Sequence, residues 1–229
     1  MAIVINGSGT VTGLAVGGLP DGTVDAGTLA ANSVDSAELI DGAVDNSHMA
    51  AMAASKLTGA LPAISGASLT GFTDAQMPAG SVLQVVYAQD LTVKTTTDVI
   101  AHDDSIPQND EGVEVVSLAI TPTSSSSKLV FIATGVCASS VSQNQYIIAL
   151  FQDSTANALA CVSCRGQNQN NNEQTLTLNY YMTAGTTSAT TFKVRLGTGG
   201  GTLTTNGKGG GRFFGGVQTT SLTIMEIAV

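Results

Sequence analysis

The stretch VEVVSLAITPTSSSSKLVFIATGVCAS, residues 113–139, contains two runs of β-forming residues joined by a turn. Residues 113–121 and 128–139 are rich in Val, Ile and other apolar residues, and the TPTS sequence that joins them is typical of a turn. Similar runs, bounded by Gly, Asn, Ser and Pro, predict strands at 81–88, 145–152, 158–165, 174–182, 190–196 and 221–229. Residues 212–220 are expected to extend the last strand or to form a ninth. Eight or nine short strands with no helical pattern between them predict an all-β fold, an antiparallel β-sandwich.

A different pattern fills residues 21–50, where three ten-residue blocks stand end to end: DGTVDAGTLA, ANSVDSAELI and DGAVDNSHMA. A large apolar residue recurs at every fifth position, namely Val24, Leu29, Val34, Leu39, Val44 and Met49. Five residues advance about 500° around a helix and change face on a flat strand, so neither element presents them as one stripe. Short extended pieces separated by bends suit this spacing, but such a unit cannot close a core alone. These residues therefore need neighbours from stacked coils of the repeat or from other copies of the chain, and we expect them to meet their counterparts at an oligomer axis; a disordered linker is the alternative.

Composition limits the classes of partner. The chain has 229 residues and a net charge of −9, and only 11 % of its residues are charged, against about 25 % in ordinary soluble domains. The acidic balance argues against a nucleic-acid partner. No apolar run approaches the ~20 residues that a membrane helix needs, so we expect no membrane insertion. The chain has three cysteines, an odd number that does not suit a set of disulfide bonds. This favours free thiols in a protein that folds in a reducing cytoplasm.

The aromatic residues divide the chain in two. Residues 1–71 contain none, and all ten lie from Phe72 onward. A segment without aromatic side chains lacks the groups that bury most area, so the first part is expected to be thin or shared between chains. We predict a tip at residues 1–20, a slender shaft at 21–79 and a β-sandwich head at 80–229, with the boundary at the MPAG sequence.

The residues whose side chains could take part in catalysis or metal binding form no recognised pattern for either. His102 stands beside Asp103 and Asp104 in an acidic loop, and the chain has no G-x-S-x-G motif. With Asp110 and Glu111 this loop offers oxygen ligands for calcium, but not in the register of a calcium loop. We predict no catalytic residue, no metal site and no cofactor.

Two further motifs have structural explanations. Cys161 and Cys164 form a lone C-x-x-C on a predicted strand, where positions three apart face opposite sides, so one cysteine is expected in the core and the other outside. In the glycine-rich stretch 197–216, the Asn206-Gly207 pair predicts the turn of a long β-hairpin.

The most polar run of the chain is the best candidate for binding. It is QNQNNNEQ, residues 167–174, between two predicted strands. Its amide side chains offer paired donors and acceptors for sugar hydroxyls, and loop tips on a rigid β scaffold often carry binding sites. The candidate receptor-binding residues are Gln167, Asn168, Gln169, Asn170, Asn171 and Asn172. A hydrophilic loop without a partner is the alternative.

Several segments resemble phage tail-fibre and related virion fibre proteins. GSVLQVVYAQ (80–89), VSLAITPTSSSSKLVFIATG (116–135) and SLTIMEIAV (221–229) resemble their C-terminal domains, and NGSGTVTGLAVGGLPDGTV (6–24) resembles the opening that anchors such fibres. The resemblance implies a jelly-roll-like head, similar to the trimeric heads of the tumour-necrosis-factor and collectin type. It also implies a homotrimer located in the virion, attached to other virion proteins through its N-terminus, with a host-surface glycan or protein as partner.

Two functions follow from this resemblance. The first is a short trimeric fibre that attaches to a host surface through its head, where several weak loop sites raise the effective affinity by avidity. The alternative is a capsid decoration or head-fibre protein that stabilises the particle without receptor specificity. A third possibility, a polysaccharide depolymerase, requires carboxylates clustered in a groove. The sequence favours a non-enzymatic structural protein.

Overall fold

The computed structural model describes residues 77–229, together with the backbone of two short strands near the N-terminus. These are β1 (Val4–Ile5) and β2 (Val11–Thr12), which pair antiparallel. Contacts between Cα atoms group the chain into two units, Met1–Ala67 and Ser68–Val229. The six predicted axis residues from Val24 to Met49 lie outside the described residues. The shaft and the three-part division of the chain therefore stay predictions.

Residues 77–229 fold almost entirely into strands. They are β3 (Val82–Asp90), β4 (Lys94–Thr96), β5 (Val113–Ile120), β6 (Lys128–Ser139), β7 (Gln145–Gln152), β8 (Ala160–Arg165), β9 (Glu173–Thr183), β10 (Thr190–Thr198), β11 (Leu203–Thr205), β12 (Gly207–Lys208), β13 (Gly211–Arg212) and β14 (Thr220–Ile227). The only helical element in this part of the chain is a three-residue 3₁₀ turn, Phe214–Gly216. Each of the eight strands predicted from the sequence is present, so the all-β prediction is confirmed.

The strands pair into two antiparallel sheets. The first sheet runs β3-β14-β6-β9, with the short β11 continuing beside β6 and β4 beside β11. The second sheet runs β5-β10-β7-β8. The long strands pair in nested order: β3 with β14, β5 with β10, β6 with β9 and β7 with β8. An antiparallel chain wrapped in this way, first strand beside last, is a jelly roll. The predicted β-sandwich is therefore of the jelly-roll type.

The core lies between the two sheets, and strict alternation along the strands builds it. In β14 every second residue is buried, including Leu222 and Ile224. Phe131 from β6 meets Phe192 from β10 edge-on, with ring centroids 4.6 Å apart. Each fully buried side chain of this size contributes about 1.5–3 kcal/mol relative to an exposed one. The period-2 pattern of the sequence thus decides which face of each strand is inside.

A second, smaller apolar cluster lies on the outward face of the second sheet. Ile147, Ala149 and Phe151 of β7 point away from the main core and are covered by Ile100, which is fully buried. Ile100 belongs to the long connection between β4 and β5. It can approach the sheet because position 197 is Gly, where an added Cβ would lie 2.6 Å from Ile100 Cδ1. The long loop therefore acts as a cover for this sheet.

The glycine-rich stretch differs from its prediction in two places. The hairpin exists, but its turn is Gly209-Gly210, both with positive φ, and not Asn206-Gly207. Asn206 is buried, because its amide donates hydrogen bonds to the carbonyls of Asp90 at 2.8 Å and Thr92 at 3.1 Å. Residues 212–220 form no ninth strand, because the backbone turns at Phe214–Gly216.

Candidate functional site

Three connections meet at one end of the sandwich, and we call this region the loop end. They are residues 140–144 between β6 and β7, residues 166–172 between β8 and β9, and residues 199–219 between β10 and β14, a segment that includes the short strands β11, β12 and β13. Backbone hydrogen bonds tie them together: Asn171 N–H donates to Ser139 O at 2.8 Å, Gln143 N–H to Gln167 O at 2.9 Å, and Ser140 N–H to Thr202 O at 2.9 Å. The loop end is therefore held as one surface and not as three independent loops.

The buried side chain of Tyr146 supports the loop end from the interior of the domain. Its side chain is buried, and its hydroxyl accepts a hydrogen bond from Ser139 N–H at 3.0 Å and donates one to Asn172 O at 2.8 Å. Burial raises the pKa of Tyr146, which keeps the phenol protonated as a donor. Gly166 passes so close that an added Cβ would lie 2.6 Å from the tyrosine ring. One phenol thus joins the connection after β6 to the polar run after β8.

The six candidate receptor-binding residues do not all have the same environment. Gln167, Asn168, Gln169, Asn170 and Asn171 are exposed, whereas Asn172 is half-buried. The side-chain oxygen of Asn172 accepts hydrogen bonds from Gln174 and from the backbone of Gln167. Asn172 therefore holds the loop together, and the five exposed residues are the ones available to a ligand. Their role in binding stays a prediction.

A polar cleft of about 330 Å³ opens at the loop end beside Asn171. Its lining consists of Thr95, Ser140, Asn171, Thr202, Thr204, Gly209 and Gly210. None of these side chains is charged or aromatic. Hydroxyl and amide groups both donate and accept, so the cleft suits a neutral ligand that carries several hydroxyls. We call it the loop-end cleft.

Sequence reasoning found one residue of this cleft and missed the others. Asn171 belongs to the conspicuous amide run, whereas Thr95, Ser140, Thr202 and Thr204 come from three separate segments. Ser140 and Thr202 are held together because Thr202 N–H donates to Ser140 Oγ at 2.9 Å. Isolated Ser and Thr residues are common in strands and turns, so no local pattern marks them. Only the pairing of β11 with β4 on one side and with β6 on the other brings them together.

The rim of the loop end carries the two basic residues of the glycine-rich stretch. Lys208 lies 4.7 Å from the centre of the Phe213 ring and 3.8 Å from Glu173, so neighbours within the chain already engage its charge. The side chain of Arg212 packs close to Gly216. Phe214 is 74 % exposed at the outermost turn. The rim therefore adds an aromatic group beside a largely neutral surface.

The acidic side chains of the long loop between β4 and β5 are used mainly within the loop itself. Asp103 accepts hydrogen bonds from the Ser105 hydroxyl and from Ser105 N–H, the latter at 2.7 Å, and these contacts lower the pKa of Asp103. Glu111 accepts one from Gln108 N–H at 2.9 Å, in a separate part of the loop. Within residues 77–229 no three His, Cys, Asp or Glu side chains are placed to hold an ion. The loop borders a cleft of about 400 Å³ that includes Asp104 and a stretch of β8.

The cysteines take the places that a strand dictates. Cys161 is exposed, Cys164 is half-buried against the core, and Cys137 is fully buried in β6, so the prediction of opposite faces is confirmed. Burial raises the pKa of Cys137 and Cys164, so both thiols stay protonated at neutral pH. They act as small apolar side chains. No helix in the described part of the chain is long and apolar enough to cross a membrane.

Comparison with known proteins gives limited similarity. No family model matches the chain, and no curated protein matches it. Among solved structures, the PRD1 vertex protein P5 is 14 % identical, with a TM-score of 0.33, over 65 % of this chain and 99 % of that one. A structure of infectious bursal disease virus, Gx strain, is 13 % identical, with a TM-score of 0.33, over 64 % of this chain and 36 % of that one.

A third solved structure, Eiger TNF from S. frugiperda, is 8 % identical, with a TM-score of 0.35, over 63 % of this chain and 93 % of that one. The chain thus spans only about a third of the bursal disease virus protein that it matches. Similarities at this level carry no argument about function. The class of the protein follows instead from its own strand pairing: a single-chain antiparallel jelly roll with a polar loop end.

Proposed function

We propose that this chain is a structural protein of a virion, a short homotrimeric fibre whose head, residues 80–229, attaches to a host surface. The observation that carries the proposal is the loop-end cleft, an uncharged polar cleft at one end of a rigid jelly roll with Asn171 of the amide run in its lining. The sequence resemblance of the head segments and of the N-terminus to phage fibre proteins supports the same function. Residues 1–20 would anchor the fibre to other virion proteins, and residues 21–79 would form its shaft.

The chemistry of the cleft favours a neutral glycan as the host partner. A sugar presents hydroxyls that both donate and accept, and the cleft offers hydroxyls from the exposed Thr95 and Ser140 and an amide from Asn171. A volume of about 330 Å³ lies near the lower end of ligand pockets. Binding by one such site is expected to be weak. A trimer would present the cleft repeatedly on one particle, and avidity would then supply the strength of attachment.

Preorganisation supports a binding role for these loops. The hydrogen bonds of Tyr146 with Ser139 and Asn172 hold the loop end in place before any ligand arrives. A loop that is already ordered loses little conformational entropy on binding, so even a small number of hydrogen bonds gives usable affinity. A solvent-exposed polar loop without a function would not need this support from a buried phenol.

Binding of the labelled full-length chain to intact bacterial cells and to an array of immobilised glycans tests the proposal. We expect Asn171→Ala to weaken binding at least several-fold, because it removes the one amide in the cleft. Asn157→Ala is the matched control, since Asn157 is an exposed asparagine in the connection between β7 and β8 at the opposite end of the sandwich. Equal loss in both variants would contradict a site at the loop end.

The same experiment separates attachment from the alternative of capsid decoration. A decoration protein would bind virus particles that lack it and would bind neither cells nor glycans. Binding to particles alone would therefore replace the attachment role with a stabilising one. No binding to cells, glycans or particles would overturn the proposed virion function as a whole.

A further inference from the structure

The outward face of the first sheet carries apolar side chains in rows that cross its four long strands, β3, β14, β6 and β9. Cross-strand register places Val85, Met225, Val130 and Tyr181 in one row. The adjacent row on one side consists of Tyr87, Thr223, Ile132 and Asn179. The adjacent row on the other side consists of Val82, Ile227, Lys128 and Thr183. We call the apolar members the apolar belt: Val82, Val85, Tyr87, Val130, Ile132, Tyr181, Met225 and Ile227. Directly paired residues of a sheet lie about 5 Å apart on one face, so the belt is continuous.

The belt is exposed to a degree that is unusual for large apolar side chains. Tyr181 is 59 % exposed, Val85 56 % and Tyr87 54 %. Single exposed apolar residues are common on protein surfaces, but contiguous patches that cross a whole sheet mark interaction sites. Tyrosine is also enriched at the centre of protein interfaces. The belt therefore has both the continuity and the composition of an interface core.

The second sheet offers a direct comparison within the same domain. Its outward apolar residues Ile147, Ala149 and Phe151 are buried, because the long β4–β5 connection places Ile100 over them. No residue from 77 to 229 covers the belt in the same way, since Val82, Val85, Tyr87, Ile132 and Tyr181 remain exposed. Within residues 77–229, the apolar strip of one sheet is thus covered by a loop, whereas the strip of the other sheet is left uncovered.

The charge of this face favours a second copy as that partner. The four cross-strand rows through Ile227, Met225, Thr223 and Ser221 contain one charged side chain, Lys128, and no acidic one. The ammonium group of Lys128 is occupied within the chain, donating to Thr183 at 2.6 Å. Two copies with a net charge of −9 each repel wherever acidic faces meet. A neutral apolar face is where identical acidic chains can approach without that cost.

The position of the leading segment points to the same partner. The 76 residues before the described head lead into β3, the edge strand that begins the belt. Gly80 N–H donates to Ala228 O at 2.9 Å, and Ala228 N–H donates to Ser81 O at 2.9 Å, which fixes the start of the head beside the end of β14. Val82 and Ile227, which pair directly, are therefore the belt residues beside the point where the chain enters the head.

We propose that the apolar belt is the surface through which the head packs against the head of a second copy of this chain. The proposal rests on the proposed function, in which the leading segments join identical copies. Polar residues of the flanking row, Gln89, Ser221, Thr134 and Thr177, form the rim around the apolar centre, an arrangement typical of subunit interfaces. The head then contributes its own contact to the oligomer, in addition to any contact between the shafts.

Thiol protection in the full-length chain tests this interface. In a Cys161→Ser background, which removes the exposed native thiol, Thr223→Cys places a thiol between Tyr87 and Ile132 in the belt. Thr191→Cys is the matched control: it is also a half-exposed threonine on an inner strand, β10, but on the outward face of the second sheet. Maleimide modification rates are measured together with the molar mass by light scattering. We expect the belt thiol to react at least tenfold more slowly than the control thiol in the oligomer.

A charge placed in the belt makes the test independent of the shaft. Val85→Lys adds an ammonium group at a position that is exposed in the isolated head, so it should leave the fold intact. In the Val85→Lys/Thr223→Cys variant we expect the belt thiol to react as fast as the control thiol, even where the shaft keeps the copies together. Ser117→Lys, an exposed position on β5 of the second sheet, should leave the protection unchanged.

Each remaining outcome contradicts the proposal in a distinguishable way. Equal rates in an oligomeric protein would overturn the belt interface and leave the fibre proposal standing. Protection in a protein that is monomeric by mass would mean that residues 1–76 of the same chain cover the belt, which overturns both the interface and the homotrimer. Equal rates in a monomer would also overturn both. Protection that persists in the Val85→Lys variant would show that the belt is not the contact.

Discussion

Glu226 of β14 is fully buried, and its Oε1 accepts hydrogen bonds from both the backbone N–H and the hydroxyl of Thr123, each at 2.8 Å. Gln84 donates to the other carboxylate oxygen from β3. A carboxylate on the last strand thus holds the connection between β5 and β6. Burial raises the pKa of Glu226, but the hydrogen bonds from Gln84, Ser127 and Thr123 lower it by more, so its pKa lies below the ordinary value.

This arrangement predicts a contribution to stability that depends on pH. Because the pKa of Glu226 is lower in the folded state, its contribution is fully present above the unfolded pKa of about 4.3 and is lost as the pH falls through the folded value. Glu226→Gln should reduce the free energy of unfolding at pH 7 by about 1.5–3 kcal/mol and flatten its decline in acid. Urea unfolding of both proteins between pH 7 and pH 3 measures this.

The control for that prediction is an acidic residue with looser partners. Glu114 is half-exposed and lies 3.7 Å from Lys193 and 3.8 Å from Arg195. Partly exposed ion pairs contribute about 0–1 kcal/mol, so Glu114→Gln should change stability little and leave the acid dependence in place. An equal effect of the two substitutions would contradict the role assigned to Glu226.

The contact between Gly197 and Ile100 predicts an overpacking effect. Gly197→Ala would place a methyl group against the buried Ile100, so either the strand or the long loop must move. We expect a loss of about 1–3 kcal/mol in the free energy of unfolding. Gly200→Ala is the control, because a Cβ there meets no atom within 4 Å. In an Ile100→Ala background the cost of Gly197→Ala should shrink; an unchanged cost would mean that the two residues do not conflict.

The hydroxyl of Tyr146 predicts a local effect at the loop end. Tyr146→Phe leaves Ser139 N–H and Asn172 O without their partner, which should cost about 1–3 kcal/mol. Amide hydrogen exchange should accelerate in residues 166–174, and binding to the glycan or cell surface should weaken. Tyr180→Phe is the control, since the Tyr180 ring packs against Phe131 away from the loop end. Unchanged exchange in residues 166–174 would argue against support of the loops by Tyr146.

The repeat predicts that the leading segment holds copies together. Val34→Asp combined with Leu39→Asp would place charges at two expected axis positions, where identical copies would bring them close together. In a Val85→Lys background, where the belt contact between heads is expected to be broken, the molar mass measured by light scattering should fall towards that of a single chain. Matched replacements at Ala31 and Ala37, which lie outside the five-residue apolar series, should leave the mass unchanged. An unchanged mass in the first variant would contradict a shared axis.

The sequence was sufficient for the strands because their information is local. Alternation and turn residues placed β6 and β7 at their observed bounds, 128–139 and 145–152. The choice of pairing partner does not depend on local sequence. β3 and β14 are separated by about 130 residues, and no pattern within either strand indicates that it pairs with the other. The jelly-roll prediction came from the resemblance at the chain's ends, and the nested strand pairing agrees with it.

The errors and omissions have the same physical origin. Asn206-Gly207 has the composition of a hairpin turn, but the buried amide of Asn206 is used by carbonyls of the distant Asp90 and Thr92. Tertiary hydrogen bonds outweighed the local preference. The loop-end cleft likewise depends on hydroxyls from separate strands, so the amide run gave only its one visible member, Asn171.

The nested strand order has a consequence for biosynthesis. Among the described strands β3 pairs only with β14, which is made after all the others. Long-range pairing of this kind is slow, because the chain between the partners must first be ordered. Until β14 has been made, the first sheet is incomplete, and the apolar faces of its earlier strands stay open to aggregation. Truncation within β14 would therefore leave the whole domain without its closing strand, and a ribosome stalled before β14 would carry a domain that cannot fold.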